Sequence, residues 1–209
     1  PGLTGRSSGA RASLPPVRRS PVAALVAAQL LILVVAGIVV AMRFPVWALT
    51  DELAHFDYIV TVGQEGRLPV LDEDLVSVRA LTLGGGEGGD PAQLGLRGES
   101  YEAFQPPLYY VLLAPAAAAG GESLATVRAL RLAGVILLGV AAWLTWLLAR
   151  RVFADDEDDE APLAAFALAL CVFVLPAFVV RGVTVANTAL ALPLALAVVL
   201  LCWDALERG

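Results

Sequence analysis

The chain has 209 residues, 58% of them hydrophobic and 16% charged, with a formal net charge of −6. This composition lies outside the range of ordinary soluble domains and defines a polytopic membrane protein. Its cations are all arginine and most of its acids lie in loops, which leaves no basic face for nucleic acid. Cys171 and Cys202 sit inside apolar runs without disulfide or metal spacing and read as small buried hydrophobes.

Residues 1–21 are rich in Gly, Ser, Pro and Arg and read as a disordered cytoplasmic tail. Residues 22–42 are apolar except for Gln29, and at about 1.5 Å per residue they match a hydrocarbon core of about 30 Å. They form the first expected span. A cleaved signal peptide is the competing reading, but its apolar core is typically only ~7–15 residues long. Arg6, Arg11, Arg18 and Arg19 place the N-terminus in the cytoplasm, so the loop over 43–127 is extracytoplasmic.

Within that loop, 67–100 holds two glycine clusters, prolines and scattered acids, and reads as a mobile segment. Residues 106–119 are apolar, begin Pro106-Pro107 and carry Pro115. As a helix they cover only about 21 Å, so a re-entrant or interfacial helix is expected. The next expected span is 128–149, entered through Arg128 and Arg131. An acidic cytoplasmic connector at 150–162 follows, with Asp155 to Glu160 all acidic. Spans at 163–181 and 183–203 complete the pattern, and 204–209 reads as a truncated end. The expected fold is all-α, about four spans plus a juxtamembrane helix in a long external loop. The arginines divide almost evenly between this topology and one in which 106–119 crosses; segment length favours the former.

Three polar groups can carry chemistry. If Thr50 or Asp51 caps a short helix, Asp51, His55 and Tyr58 share one face, and Glu52 flanks His55. Such a face offers a carboxylate base with a histidine beside it. The plainer account is an N-cap aspartate on an exposed amphipathic helix. His55 is the only histidine, which excludes a two-histidine zinc protease motif. The second group is Tyr101, Glu102, Gln105, Tyr109 and Tyr110 around the proline-led helix start, where a helix N-terminus suits a phosphate. An interfacial tyrosine belt is the alternative. The third is Arg181, Thr184, Asn187 and Thr188 before the last span. Arg181 suits a lipid phosphate or snorkels, and the hydroxyl and amide groups suit contacts between helices.

In order, Asp51-Glu52-x-x-His55-Phe56, Gln105-Pro106-Pro107-Leu108-Tyr109-Tyr110, Arg128-x-x-Arg131-Leu132 and Val183-Thr184-Val185-Ala186-Asn187-Thr188 resemble the N-terminal part of GT-C superfamily glycosyltransferases, such as protein O-mannosyltransferases and aminoarabinose transferases. The resemblance covers roughly 22–203 and implies transfer of a sugar from a polyprenyl-phosphate donor to an extracytoplasmic acceptor. It implies Asp51 as general base, with Glu52 and His55 supporting it or helping to hold a divalent cation. Tyr58, Glu102, Gln105, Tyr109, Arg181 and Asn187 would contact substrate or membrane lipid. Many relatives carry an Asp where Asn187-Thr188 stands, and some a Lys or His in place of Gln105. Relatives usually have eight or more spans, so the chain reads as the first half of such an enzyme. The alternative is a noncatalytic multi-pass protein, an assembly subunit or carrier. Transport would favour an acidic residue inside a span, and the expected spans contain none.

Overall fold

The computed structural model describes residues 20–48, 51–71, 73–83, 100–154, 156 and 160–208. Residues 1–19 of the expected disordered tail, 84–99 of the segment 67–100 read as mobile, the Tyr101 side chain and most of the acidic run lie outside the described residues. The described part of 67–100 is packed instead, with a helix at Val78–Thr82 and Val76, Ala80 and Leu81 buried in the core. Among the described residues the fold is all-α.

Helix α1 (Pro21–Arg43) starts with Ser20 as N-cap and Pro21 in its first turn, and stops two residues before Pro45. Helix α2 (Glu52–Val60) runs into a π-helical turn at Thr61–Glu65, closed by Gly66 in a left-handed conformation. A short α3 (Val78–Thr82) and a 3-10 turn (Tyr101–Phe104) lead to α4 (Leu108–Gly120). Helix α5 (Leu124–Val152) begins at its Ser123 cap, a full turn before the expected 128. Arg128 and Arg131 therefore lie within the helix rather than at its end.

The expected continuous span over 163–181 is broken. Helix α6 (Ala161–Phe173) and α7 (Pro176–Val183) meet at 75°. The cause is Pro176, which restricts the residue before it; Leu175 is extended and ends the helix. Helix α8 (Thr188–Arg208) starts five residues later than expected, which leaves Thr184 to Asn187 as a non-helical corner.

Helices α1, α5 and α8 are long and apolar enough to cross a membrane, and the bent pair α6–α7 counts as a fourth crossing if taken as one span. Their outward faces carry Leu31, Ile32 and Val39 on α1, Ile136 and Trp143 on α5, and Leu168 on α6, an apolar exterior that lipid would cover. Cys171 and Cys202 also lie on exposed faces, so the expectation that they are buried is corrected.

Two cores organise the molecule. One, between α1, α5, α6 and α7, contains Leu33, Leu138, Phe166, Leu170 and Val183. Its close approaches need glycine: a Cβ on Gly134 would lie 2.8 Å from the Val183 carbonyl oxygen. The other forms a cap of α2, the π turn, α3 and α4 on the first turns of α5 and α8, around Phe56, Tyr110, Val127, Leu130 and Val185. Arg151 pairs with Asp204 and ties α5 to α8 at the end away from this cap.

Candidate functional site

All nine residues of α2 are buried, so the exposed amphipathic helix allowed by the sequence is not what forms. Three of the nine, Glu52, His55 and Asp57, are acidic or basic, and each is provided with partners. Glu52 is the most heavily bonded. Its Oε1 accepts from Arg131 Nε at 2.8 Å and from the Val185 backbone N–H at 3.1 Å. Its Oε2 accepts from Arg131 Nη2 at 2.6 Å and from the Trp47 N–H at 3.3 Å. Arg131, itself 1% exposed, also donates to the Phe44 and Pro45 carbonyl oxygens at 2.7 and 3.0 Å. Trp47 has a φ of 62°, uncommon for a residue with a side chain, and its indole N–H donates to the Ala80 carbonyl at 2.9 Å. Thus Glu52 does not serve His55 as the spacing implied; it joins the end of α1, the start of α2, α5 and the α7–α8 corner.

One turn on, His55 Nδ1 and the Tyr110 hydroxyl share a hydrogen bond of 2.8 Å, and a Glu102 carboxylate oxygen lies 3.9 Å from the same nitrogen. Burial pushes the imidazole down to about 4, against a smaller upward pull from Asp51, so the ring is neutral at neutral pH. Glu102 is also buried. Its carboxyl is raised above the usual range, chiefly by burial and further by the Asp51 charge, against the hydrogen bond with Gln105. Its Oε2 has no hydrogen-bond partner among the described residues. Asp51 itself is half-buried at the N-cap position, without a capping bond from its side chain.

The Tyr58 and Tyr110 rings stack at 3.7 Å, and Tyr109 meets Tyr110 edge-on at 5.4 Å. The Tyr58 hydroxyl donates to the Gln105 carbonyl at 3.4 Å. Three consecutive corner residues then close the cluster. Val185 N–H reaches Glu52, Ala186 N–H donates to the Tyr109 hydroxyl at 3.2 Å, and Asn187 Nδ2 donates to Gln105 Oε1 at 2.8 Å.

The structure therefore unites Asp51, Glu52, His55, Tyr58, Glu102, Gln105, Tyr109 and Asn187. Arg181 stands apart. It is exposed and lines a separate cavity of about 160 Å³ with Leu138, Phe178 and Thr188. Two contributors were read from the sequence without their partners, and a third was missed. Tyr110 was visible in the Tyr-Tyr string, and Arg131 in the Arg-x-x-Arg pattern, but neither partner was. Asp57, on the opposite side of α2, accepts from the Ser77 N–H at 2.9 Å. Burial raises its carboxyl to about 6, with Ser77 acting against the rise and Glu122, Asp74 and Glu65 adding to it.

The divalent cation implied by the resemblance does not fit these residues. Glu52 is occupied by four donors, and among the described residues no group of three His, Cys, Asp or Glu side chains is placed to hold a metal ion. The arrangement defines an all-helical, membrane-type protein with a buried polar cluster under a helical cap. No family model matches the chain, and no curated protein or solved structure matches it either.

Proposed function

We propose that the chain is a membrane glycosyltransferase of GT-C type, or the N-terminal portion of one, which transfers a sugar from a polyprenyl-phosphate donor to an extracytoplasmic acceptor. The observation that carries this is the meeting of three distant stretches at one end of the long apolar helices. Residues 51–58, 102–110 and 185–187 are joined there by direct hydrogen bonds. They are the polar stretches on which the resemblance rests.

Asp51 is the general base. It takes the proton of the acceptor hydroxyl as that oxygen bonds to the anomeric carbon, while the bond from that carbon to the phosphate oxygen breaks and lipid phosphate leaves with the electron pair. His55, neutral and bonded to Tyr110, positions this face rather than supplying a proton. Gln105 and Asn187 present amide groups to the same cluster. The N-terminus is cytoplasmic and the cap extracytoplasmic, in keeping with the arginines of the tail.

The test is sugar transfer from a panel of polyprenyl-phosphate sugars by membranes containing the full-length protein. Asp51→Asn lowers transfer by at least ~10²-fold, as loss of a general base does, with membrane content unchanged. Equal transfer by this variant removes Asp51 from the role. If no donor supports transfer, the noncatalytic alternative stands.

A further inference from the structure

A second cleft opens on the α1–α5 side of the cap, lined by Arg43, Phe44, Leu83, Leu124, Arg128 and Arg131, with a volume of about 240 Å³. Its charge is unusual in a chain that is net acidic. Arg131 is neutralised by Glu52, but no ion pair or side-chain hydrogen bond joins Arg43 or Arg128 to any other described residue. The carbonyls of Phe44 and Pro45, which line the cleft, accept from Arg131. The cleft also lies at the first residue of α5, where the helix dipole adds positive potential. What remains is cationic and short of acceptors.

The rest of the wall is apolar. Leu83 and Leu124 line it, and the outward stripe of α1, including Ile38, Val39 and Met42, runs up to Arg43 at the end of that helix. A free anion uses only the guanidinium groups. An amphiphile uses both parts, with a phosphate between Arg43 and Arg128 and its chain along α1. The volume, roughly eight times that of a water molecule in the liquid, accommodates a phosphate and the first atoms of its substituent. We propose that this cleft binds the phosphate of a lipid headgroup. The inference rests on the cleft alone and not on the transferase reading.

The experiment is native mass spectrometry of the purified full chain in detergent with four probes: dioleoyl phosphatidic acid, a polyprenyl phosphate, dioleoyl phosphatidylcholine and inorganic phosphate. Both phosphomonoester lipids are retained in preference to phosphatidylcholine, and inorganic phosphate does not displace them. Each of Arg43→Gln and Arg128→Gln lowers retention roughly tenfold, the scale of one charge-assisted hydrogen bond. The double Arg→Lys variant retains lipid, and Arg150→Gln, at the other end of α5, has no effect. Similar retention of the two lipids supports a site for acidic lipids in general; stronger retention of polyprenyl phosphate supports a donor site. The proposal is overturned by failure to retain either lipid, by full displacement with inorganic phosphate, or by unchanged retention in a double Arg→Gln variant of normal helicity. Transfer is not measured, so neither result bears on the role of Asp51.

Discussion

Glu52 and Arg131 are each 1% exposed, and a buried ion pair of this kind fixes geometry more than it adds stability. Arg131→Met strands an ionised Glu52 and lowers stability by about 3–5 kcal/mol. Adding Glu52→Gln removes the stranded charge and recovers a large part of that loss; thermal unfolding of single and double variants in detergent measures the coupling. Equal melting of Arg131→Met and the double variant would show that the pair is not coupled. Asp57 acts through pH instead. Its folded value is about 6 against an ordinary 3.8, so between these the folded chain keeps a proton that the unfolded chain has released. The stabilisation is therefore complete below 3.8 and is lost as pH rises through about 6, a change of about 3 kcal/mol for a shift of this size. His55 has the opposite sign: its folded value is about 4 against 6.5, so its contribution is present above 6.5 and lost as pH falls toward 4. Asp57→Asn thus raises the melting temperature at neutral pH and leaves a steeper loss on acidification. A melting profile that matches the parent at every pH would refute the burial penalty assigned to Asp57.

At the scale of elements, the corner between α7 and α8 is the latch of the cluster, and its position is set by how closely α7 lies on α5. A Cβ on Gly134 would meet the Val183 and Gly182 carbonyl oxygens at 2.8 and 2.9 Å, and backbone atoms cannot step aside cheaply. A Cβ on Gly139, five residues further along α5, meets nothing within 4 Å. Gly134→Ala therefore destabilises by about 1–3 kcal/mol, and Gly139→Ala stabilises by up to about 1 kcal/mol through helix propensity. Opposite shifts in melting temperature are the expected result; shifts of the same sign would mean that α5 and α7 are not in close contact. The long apolar runs of α1, α5 and α8 were legible because hydropathy and length suffice for a helix of membrane length. The break before α7 was available in Leu175-Pro176 but was masked by apolar residues on both sides. The burial of α2 was not legible. Glu-Leu-Ala-His-Phe-Asp reads as an exposed helix until Arg131, 79 positions later, is known to fold onto it. Likewise Asn187 and Gln105 are separated by 82 positions, and local pattern carries no information about such a pair.

Over the whole molecule, α1 and α6 run toward the cap and α5 and α8 run away from it, with Arg151 and Asp204 joined at the far end. Helix α4, of 13 residues, packs with the cap, and at about 20 Å it is shorter than a bilayer core of about 30 Å. This arrangement places Val78 and Phe104 on the cap side, exposed at 76% and 66%, and Leu206 at the opposite end, exposed at 83%. Single cysteines at these three positions, in a Cys171→Ala and Cys202→Ala background, are read with a membrane-impermeant thiol reagent on intact cells. With the cap extracytoplasmic, positions 78 and 104 label directly and 206 labels only after the membrane is opened. Labelling of 206 alone reverses the orientation but keeps the cluster on one face. Labelling of 78 without 104, or the reverse, puts a membrane crossing between α3 and α4; the stretches carrying Asp51 and Gln105 then cannot share one site, and the transferase reading fails with them.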